Sequence, residues 1–85
     1  MDEYKILFKK SVWKDFQSIA DKDLKRILKQ IQSLSINPRL PGCEKLSGQE
    51  CYRLRQGRYR IIYSIQDDAL TIWVIKIGHR GDVYR

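Results

Sequence analysis

The 85-residue sequence lacks the features that define several large classes of protein. Its uninterrupted apolar runs are only a few residues long, so we expect no segment that spans a membrane. The opening stretch, MDEYKILFKK, places acidic residues before a short apolar segment, so we also expect no secretory leader. The expected compartment is therefore the cytoplasm.

Potential metal ligands are scarce as well. The spacing of Cys43 and Cys51 matches neither a disulfide scaffold nor a zinc motif, and the chain has one histidine. A zinc centre would therefore lack ligands. We interpret both cysteines as reduced structural residues and expect no metal or other cofactor.

Positive charge, in contrast, is abundant. Seventeen lysines and arginines oppose ten acidic residues, which gives a net charge of +7. An excess of this size points to a polyanionic partner, usually nucleic acid, and secondarily to an acidic protein or a membrane surface. The apolar fraction of 42% indicates a folded chain, and the length fits one domain that spans residues 1–85.

The first half of the sequence predicts one strand and two helices. Residues 3–8 alternate as a strand, Ser11 is expected to cap a short helix, and Asp21 is expected to cap a second helix. The second helix has a clear apolar stripe, formed by Leu24, Ile27, Leu28, Ile31 and Leu34. Its basic residues, which we interpret as facing away from the core, are Lys22, Lys25, Arg26 and Lys29.

The second half predicts three strands, in CYRLR, YRIIYSI and LTIWVIKI. The last of these is nearly all apolar, which predicts burial on both faces, and Gly78 is expected to end it. The order βααβββ indicates an α+β fold. In this fold an N-terminal strand and a helix hairpin pack on one face of an antiparallel-rich sheet, and the opposite face is open and basic.

The segment CYRLRQGRYR, residues 51–60, carries four arginines and no acidic residue. Strand alternation predicts that Arg53, Arg55 and Arg60 share the open face, while the apolar residues between them pack against the helices. Arg58 lies in the predicted turn, at the rim of this face. A patch of one sign with no interleaved acid favours a phosphate-bearing ligand over a purely solubilising surface.

Two stretches, NPRLPGCEKLSGQECYRLRQGRYRIIYSI and VIKIGHRGDVYR, carry a resemblance to a known family. The linked series KLSG, YRLR, GRYRIIY, GHR and VY resembles the RelE family of bacterial and archaeal toxins, within the RelE/ParE superfamily. RelE-like toxins are endoribonucleases that cut messenger RNA in the ribosomal A site, and a cognate antitoxin holds them inactive. The resemblance therefore implies an mRNA interferase whose partners are the ribosome, messenger RNA and a RelB-like antitoxin.

The resemblance also implies site residues. By position it assigns roles to Arg53, Arg55, Arg60, Arg80 and Tyr84. With Arg58 in the predicted turn and His79 before Arg80 added, we expect catalysis by Arg60, Arg80 and Tyr84 and RNA or phosphate binding by Arg53, Arg55, Arg58 and His79. Guanidinium groups would stabilise the charge that develops when a 2′-hydroxyl attacks phosphorus without a metal ion. Tyr84 would act as the general base, and the general acid stays open between His79 and Arg80. The best-known members have lysines where this chain has Arg53 and Arg55, and arginine, unlike lysine, cannot be tuned for proton transfer.

Two other functions remain open from the sequence. A ParE-like toxin has the same fold and inhibits DNA gyrase by binding protein, but it would need neither convergent arginines nor a terminal tyrosine. A non-catalytic relative would bind RNA through the same patch, with a strong dependence on salt, and would leave the RNA intact.

Overall fold

In the computed structural model, which describes residues 3–46 and 51–79, two helices pack against a five-stranded sheet. The elements in chain order are β1 (Lys5–Phe8), α1 (Lys10–Gln17), α2 (Asp21–Leu34), β2 (Glu44–Lys45), β3 (Cys51–Gln56), β4 (Tyr59–Gln66) and β5 (Thr71–His79). The strand order in the sheet is β1-β5-β4-β3-β2; β1 is parallel to β5 and the other pairs are antiparallel. The predicted α+β class is confirmed, but the N-terminal strand does not pack on the face of the sheet with the helices: β1 is an edge strand of the sheet itself.

The order of elements differs from βααβββ by one additional strand. The two residues of β2 pair with β3, with Glu44 opposite Arg53 and Lys45 opposite Tyr52. A strand of two residues is too short to show an alternating pattern, so the sequence gives no signal for it. The prediction that Gly78 ends the last strand is also wrong, because pairing with β4 carries β5 to His79.

Both predicted helix caps are wrong. The residues at the cap positions are Lys9 for α1 and Ala20 for α2, and neither forms a side-chain capping hydrogen bond. The start of α1 is set instead by the sheet, because the backbone N–H of Lys9 donates to the carbonyl oxygen of Val74 at 3.0 Å. Within the described residues, neither helix is long and apolar enough to cross a membrane.

The predicted apolar stripe of α2 is confirmed. Ile27, Ile31 and Leu34 are buried, and Leu24 and Leu28 are half-buried against the core. The sheet residues that complete the core are Leu54, Ile61, Tyr63, Ile65, Ile72, Val74 and Ile77. Because α1 packs on β5 and α2 on β3, the helices cover one face of the sheet and leave the other face for the candidate site.

The prediction that the last strand is buried on both faces is wrong. Ile72, Val74 and Ile77 of β5 are buried, whereas Trp73 is only half-buried. Trp73 is covered in part by Lys9, whose Nζ lies 4.9 Å from the centroid of the indole ring. The strand is apolar on both faces, but helices pack against only one of them.

A carboxylate accepts a backbone hydrogen bond from β5 at the point where β1 no longer pairs with it. The strand β1 pairs with residues 71–74 of β5, so the second half of β5 extends beyond it. There, Oδ2 of Asp15 accepts a hydrogen bond from the backbone N–H of Ile77 at 3.1 Å, and Oδ1 lies 3.4 Å from Nζ of Lys76. Helix α1 is thus joined directly to the end of β5 that borders the candidate site.

A cluster of polar side chains joins the connection between α2 and β2 to the residues that precede β1 and β5. Arg39 donates two hydrogen bonds to the carboxylate of Asp67, at 3.3 and 3.0 Å, and the hydroxyl of Tyr4 donates to the same carboxylate at 2.6 Å. The hydrogen bonds from Arg39 and Tyr4 lower the pKa of Asp67, and the hydrogen bond to Asp67 raises the pKa of Tyr4.

These shifts predict a dependence of stability on pH at both ends of the scale. Because the pKa of Asp67 is lowered in the folded state, its ionised carboxylate stabilises the fold at pH values above the ordinary pKa of an aspartate. This stabilisation is lost as pH falls through the pKa of folded Asp67. Because the pKa of Tyr4 is raised in the folded state, its protonated hydroxyl stabilises the fold at pH values below the ordinary pKa of a tyrosine. This stabilisation is lost as pH rises through the pKa of folded Tyr4. We expect Asp67→Asn to weaken the dependence of the free energy of unfolding on pH, both below about pH 4 and above about pH 10.

Urea denaturation across the pH range measures this effect as the free energy of unfolding. Asp68→Asn is the matched control, because Asp68 is an exposed neighbouring carboxylate that forms no hydrogen bond to Tyr4 or Arg39. The control should keep the wild-type profile. An Asp67→Asn profile that parallels the wild type at both ends would contradict the prediction.

Candidate functional site

Strand register places three arginines on the face that the helices leave uncovered. Arg55 of β3 lies directly opposite Arg60 of β4, and Arg53 lies two residues before Arg55 on the same strand. Because Leu54 and Ile61 between them are buried in the core, side-chain alternation puts these arginines on the opposite face. The convergence follows from a two-residue turn and the period of the strand.

Arg60 stands apart from the other arginines because it is buried. The residue is 6% exposed, and it is the one charged residue in the buried class within residues 3–46 and 51–79. Its cross-strand neighbours are Arg55 on one side and Gly78 on the other, and Gly78 contributes no side chain to the face. A charge held away from water exerts a stronger field on a bound group than an exposed one does.

Arg53 has an acidic partner, so the expectation of a face without interleaved acid is wrong. Glu44 of β2 is its cross-strand neighbour, and the carboxylate accepts a hydrogen bond from the guanidinium. The ion pair balances the charge of Arg53 and fixes its side chain. Arg53 therefore adds little net positive charge to this face, whereas Arg55 and Arg58 are exposed at its surface.

The turn between β3 and β4 brings Arg58 to the same place. Gly57 has φ +61°, at the first central position of a two-residue hairpin, where type II′ turns place glycine. Arg55, Arg58 and Arg60 then line one depression of about 40 Å³, together with Gly57 and Tyr59. A space of this size admits a single oxygen atom of a phosphate group or a water molecule, not a base.

Tyr59 belongs to this site, although the sequence did not single it out. It is half-buried, it lines the depression beside Arg60, and it also borders a larger groove towards α2. The ring of Tyr59 alternates with the side chain of Arg60 along β4 and packs against the core on the helix side, so a base can stack on it from the larger groove. The available signal was its place between Arg58 and Arg60 in a strongly basic turn.

The C-terminal candidates lie largely outside the described residues. His79 ends β5, and its Cα pairs with Tyr59, one position beyond the pair formed by Arg60 and Gly78. The side chain of His79, and all of Arg80 and Tyr84, lie outside the described part of the chain. The roles assigned to them stay predictions.

Solved toxin structures share this architecture. The toxin of the archaeal RelE–RelB complex from Pyrococcus horikoshii is 31% identical with a TM-score of 0.83, and the match covers 94% of this chain and 98% of that one. The RelBE2 complex from Mycobacterium tuberculosis contains a match with 25% identity and a TM-score of 0.82, over 96% of this chain and 97% of that one. The fold is thus that of a small toxin of the RelE type.

Sequence comparison gives the same family. Residues 6–84 match the family described as ParE toxin of type II toxin–antitoxin system, parDE. The mRNA interferase toxin RelE of Escherichia coli K12 is 31% identical over 77 residues, which cover 85% of this chain and 77% of that protein. The chain therefore belongs to the RelE/ParE toxins of type II toxin–antitoxin systems, as its resemblance to RelE toxins indicated.

Proposed function

We propose that this protein is an mRNA interferase that cleaves messenger RNA in the A site of the ribosome and so inhibits translation. The observation that carries the proposal is the facing pair Arg55 and Arg60, which lines, with Arg58, a depression that admits one phosphate oxygen. The name of the E. coli relative, an mRNA interferase, supports the same activity. The proposed compartment is the cytoplasm, where messenger RNA is translated, and residues 1–85 would act as one toxin domain.

The proposed reaction needs no metal ion. The 2′-hydroxyl attacks the adjacent phosphorus and the 5′-oxygen of the next nucleotide leaves, which gives a 2′,3′-cyclic phosphate and a free 5′-hydroxyl. Negative charge builds on the phosphorus oxygens during attack, and Arg60 and Arg55 stabilise it more strongly in the transition state than in bound RNA. Tyr84 accepts the proton of the 2′-hydroxyl, and the leaving 5′-oxygen takes up a proton from the general acid, for which His79 and Arg80 are the two candidates. Arg80 also adds a positive charge beside the phosphate.

A RelB-like antitoxin is the proposed protein partner. The solved relative from P. horikoshii is a RelE–RelB complex, and the one from M. tuberculosis is a toxin–antitoxin complex, RelBE2. The protein has a net charge of +7, and its positive excess on the open face matches an acidic partner segment. Binding of that segment over Arg55 and Arg60 would exclude RNA and keep the toxin inactive in a hetero-oligomer.

Inhibition of DNA gyrase is the second candidate function, because the matching family model is that of the ParE toxins. One experiment separates the candidates. The protein is induced briefly in cells, messenger RNA 5′ ends are mapped against codon position, and supercoiling by purified gyrase is assayed in parallel. Cuts within translated codons support the interferase, lost supercoiling supports the ParE-like function, and RNA binding with neither effect identifies a non-catalytic relative.

The tail residues provide a direct test of the proposed chemistry. We expect Tyr84→Phe to slow single-turnover cleavage of ribosome-bound messenger RNA by about 10²–10⁴-fold while RNA binding is retained, because it removes the proton acceptor. Arg80→Ala should slow the same step by about 10²–10³-fold. Arg85→Ala, which removes a neighbouring charge, is the control. Cleavage at the wild-type rate in both variants would contradict their assignment.

A further inference from the structure

A second basic surface lies between α2 and the β3–β4 hairpin. It is a groove of about 470 Å³, and among its lining residues Lys22, Arg26 and Arg58 are basic while Asp23 is acidic. A neighbouring groove of about 330 Å³ shares Arg26 and adds Lys29. The two grooves meet at Arg26 and Gln56, so they form one track along the helix.

The spacing of the helical residues suits a repeating anion. Lys22, Arg26 and Lys29 stand at i, i+4 and i+7, which places them on one side of α2. From Lys22 to Lys29 the helix rises about 10 Å, a span that covers neighbouring phosphates of one RNA strand. All three side chains are exposed, so a ligand can reach them.

The track is continuous with the candidate cleavage site. Gly57, Arg58 and Tyr59 line both the groove at α2 and the depression that holds Arg55 and Arg60. A polyanion that lies in the groove can therefore pass the tip of the hairpin at Arg58 and enter the arginine face. A merely solubilising surface would need neither the concave shape nor this continuity.

We propose that this track, defined by Lys22, Arg26, Lys29 and Arg58, binds the phosphodiester backbone of RNA outside the nucleotide that is cleaved. The inference rests on the proposed RNA-directed function and extends the site from one phosphate to a strand. Tyr59 supplies a stacking surface where the track meets the depression. The bound backbone belongs either to the messenger itself or to the ribosomal RNA around the A site.

Salt-dependent binding tests the track without requiring cleavage. The probe is a short 2′-O-methyl RNA, which lacks the attacking hydroxyl, and its affinity for the intact protein is measured over a range of salt concentrations. We expect K22Q/R26Q/K29Q to lower the slope of log K against log salt by about 2, since each phosphate contact contributes about 0.7 on a single strand.

A control with the same loss of charge separates a local site from net charge. Lys5, Lys10 and Lys14 are exposed residues of β1 and α1, on the far side of the sheet order from β3. K5Q/K10Q/K14Q should leave the slope close to that of the wild type. Equal slopes for the two triple variants would overturn the proposal, and so would a groove variant that keeps RNA affinity but loses affinity for a polyglutamate peptide.

Ribosomes programmed with messages of two lengths distinguish the sources of the backbone. A groove variant that cleaves poorly on the long message alone assigns the track to messenger RNA, and one that cleaves poorly on both assigns it to ribosomal RNA. Wild-type cleavage by the groove variant on both, with a wild-type salt slope, overturns the inference and leaves the proposed function intact. A wild-type protein that binds the probe but never cleaves contradicts the proposed function and leaves the track in place.

Discussion

Replacement of Arg60 by alanine is expected to slow single-turnover cleavage of ribosome-bound messenger RNA by about 10²–10³-fold. Arg60 is 6% exposed and lies opposite Arg55, at a depression that fits one phosphate oxygen. Because water is largely excluded there, its charge acts on the transition state with little screening. Arg55→Ala, which removes the exposed partner, should have a smaller effect.

Burial makes stability a concern for this variant, so a second substitution is needed. Arg60→Met keeps the aliphatic volume while removing the charge, and thermal unfolding reports whether each variant is folded. Lys14→Ala, an exposed residue of α1, serves as the control for loss of one positive charge. Folded Arg60→Met protein that cleaves at the wild-type rate would remove Arg60 from the catalytic group.

Replacement of Tyr63 by alanine is expected to cost about 3–5 kcal/mol in the free energy of unfolding. Tyr63 is fully buried, and its ring stacks on Tyr52 with the centroids 5.9 Å apart. Its hydroxyl donates to the carbonyl oxygen of Pro38 at 2.9 Å, which joins the connection after α2 to the sheet. Burial raises the pKa of Tyr63, so the hydroxyl remains a hydrogen-bond donor.

The phenylalanine variant separates the hydrogen bond from the packing. Tyr63→Phe keeps the ring and leaves the buried carbonyl of Pro38 without this donor, at a cost of about 1–3 kcal/mol. Tyr52→Phe is the matched control, because its ring is half-buried and water can replace lost contacts there. Urea denaturation measures all three variants; equal losses for Tyr63→Phe and Tyr52→Phe would contradict the role of the buried bond.

The fold was predictable where the pattern is long and periodic. The stripe that ends at Leu34 and the alternation around Leu54 and Ile61 gave the helix and the strands that build the core. The strand β2 was not predictable, because two residues show no period and their pairing depends on β3. The helix caps were predicted wrongly for a similar reason. A tertiary hydrogen bond, from the N–H of Lys9 to the carbonyl oxygen of Val74, sets where α1 begins.

For the candidate site, alternation correctly placed Arg53, Arg55 and Arg60 on one face, because period 2 and a short turn determine the side of each residue. It could not reveal that Glu44 pairs with Arg53, since that contact depends on the unpredicted strand. Nor could it distinguish buried Arg60 from exposed Arg55, because exposure depends on what surrounds a side chain in three dimensions.

The hydrogen bond from Ile77 to Asp15 has a consequence for self-association. A strand that extends beyond its neighbour presents free N–H and C=O groups, and such an edge can recruit a strand from another molecule. Ile77 lies in the part of β5 that β1 leaves unpaired, and its N–H donates to the charged carboxylate of Asp15 instead of to a neighbouring strand. We therefore expect the carboxylate that joins α1 to β5 to disfavour edge-to-edge pairing beside the arginine face as well.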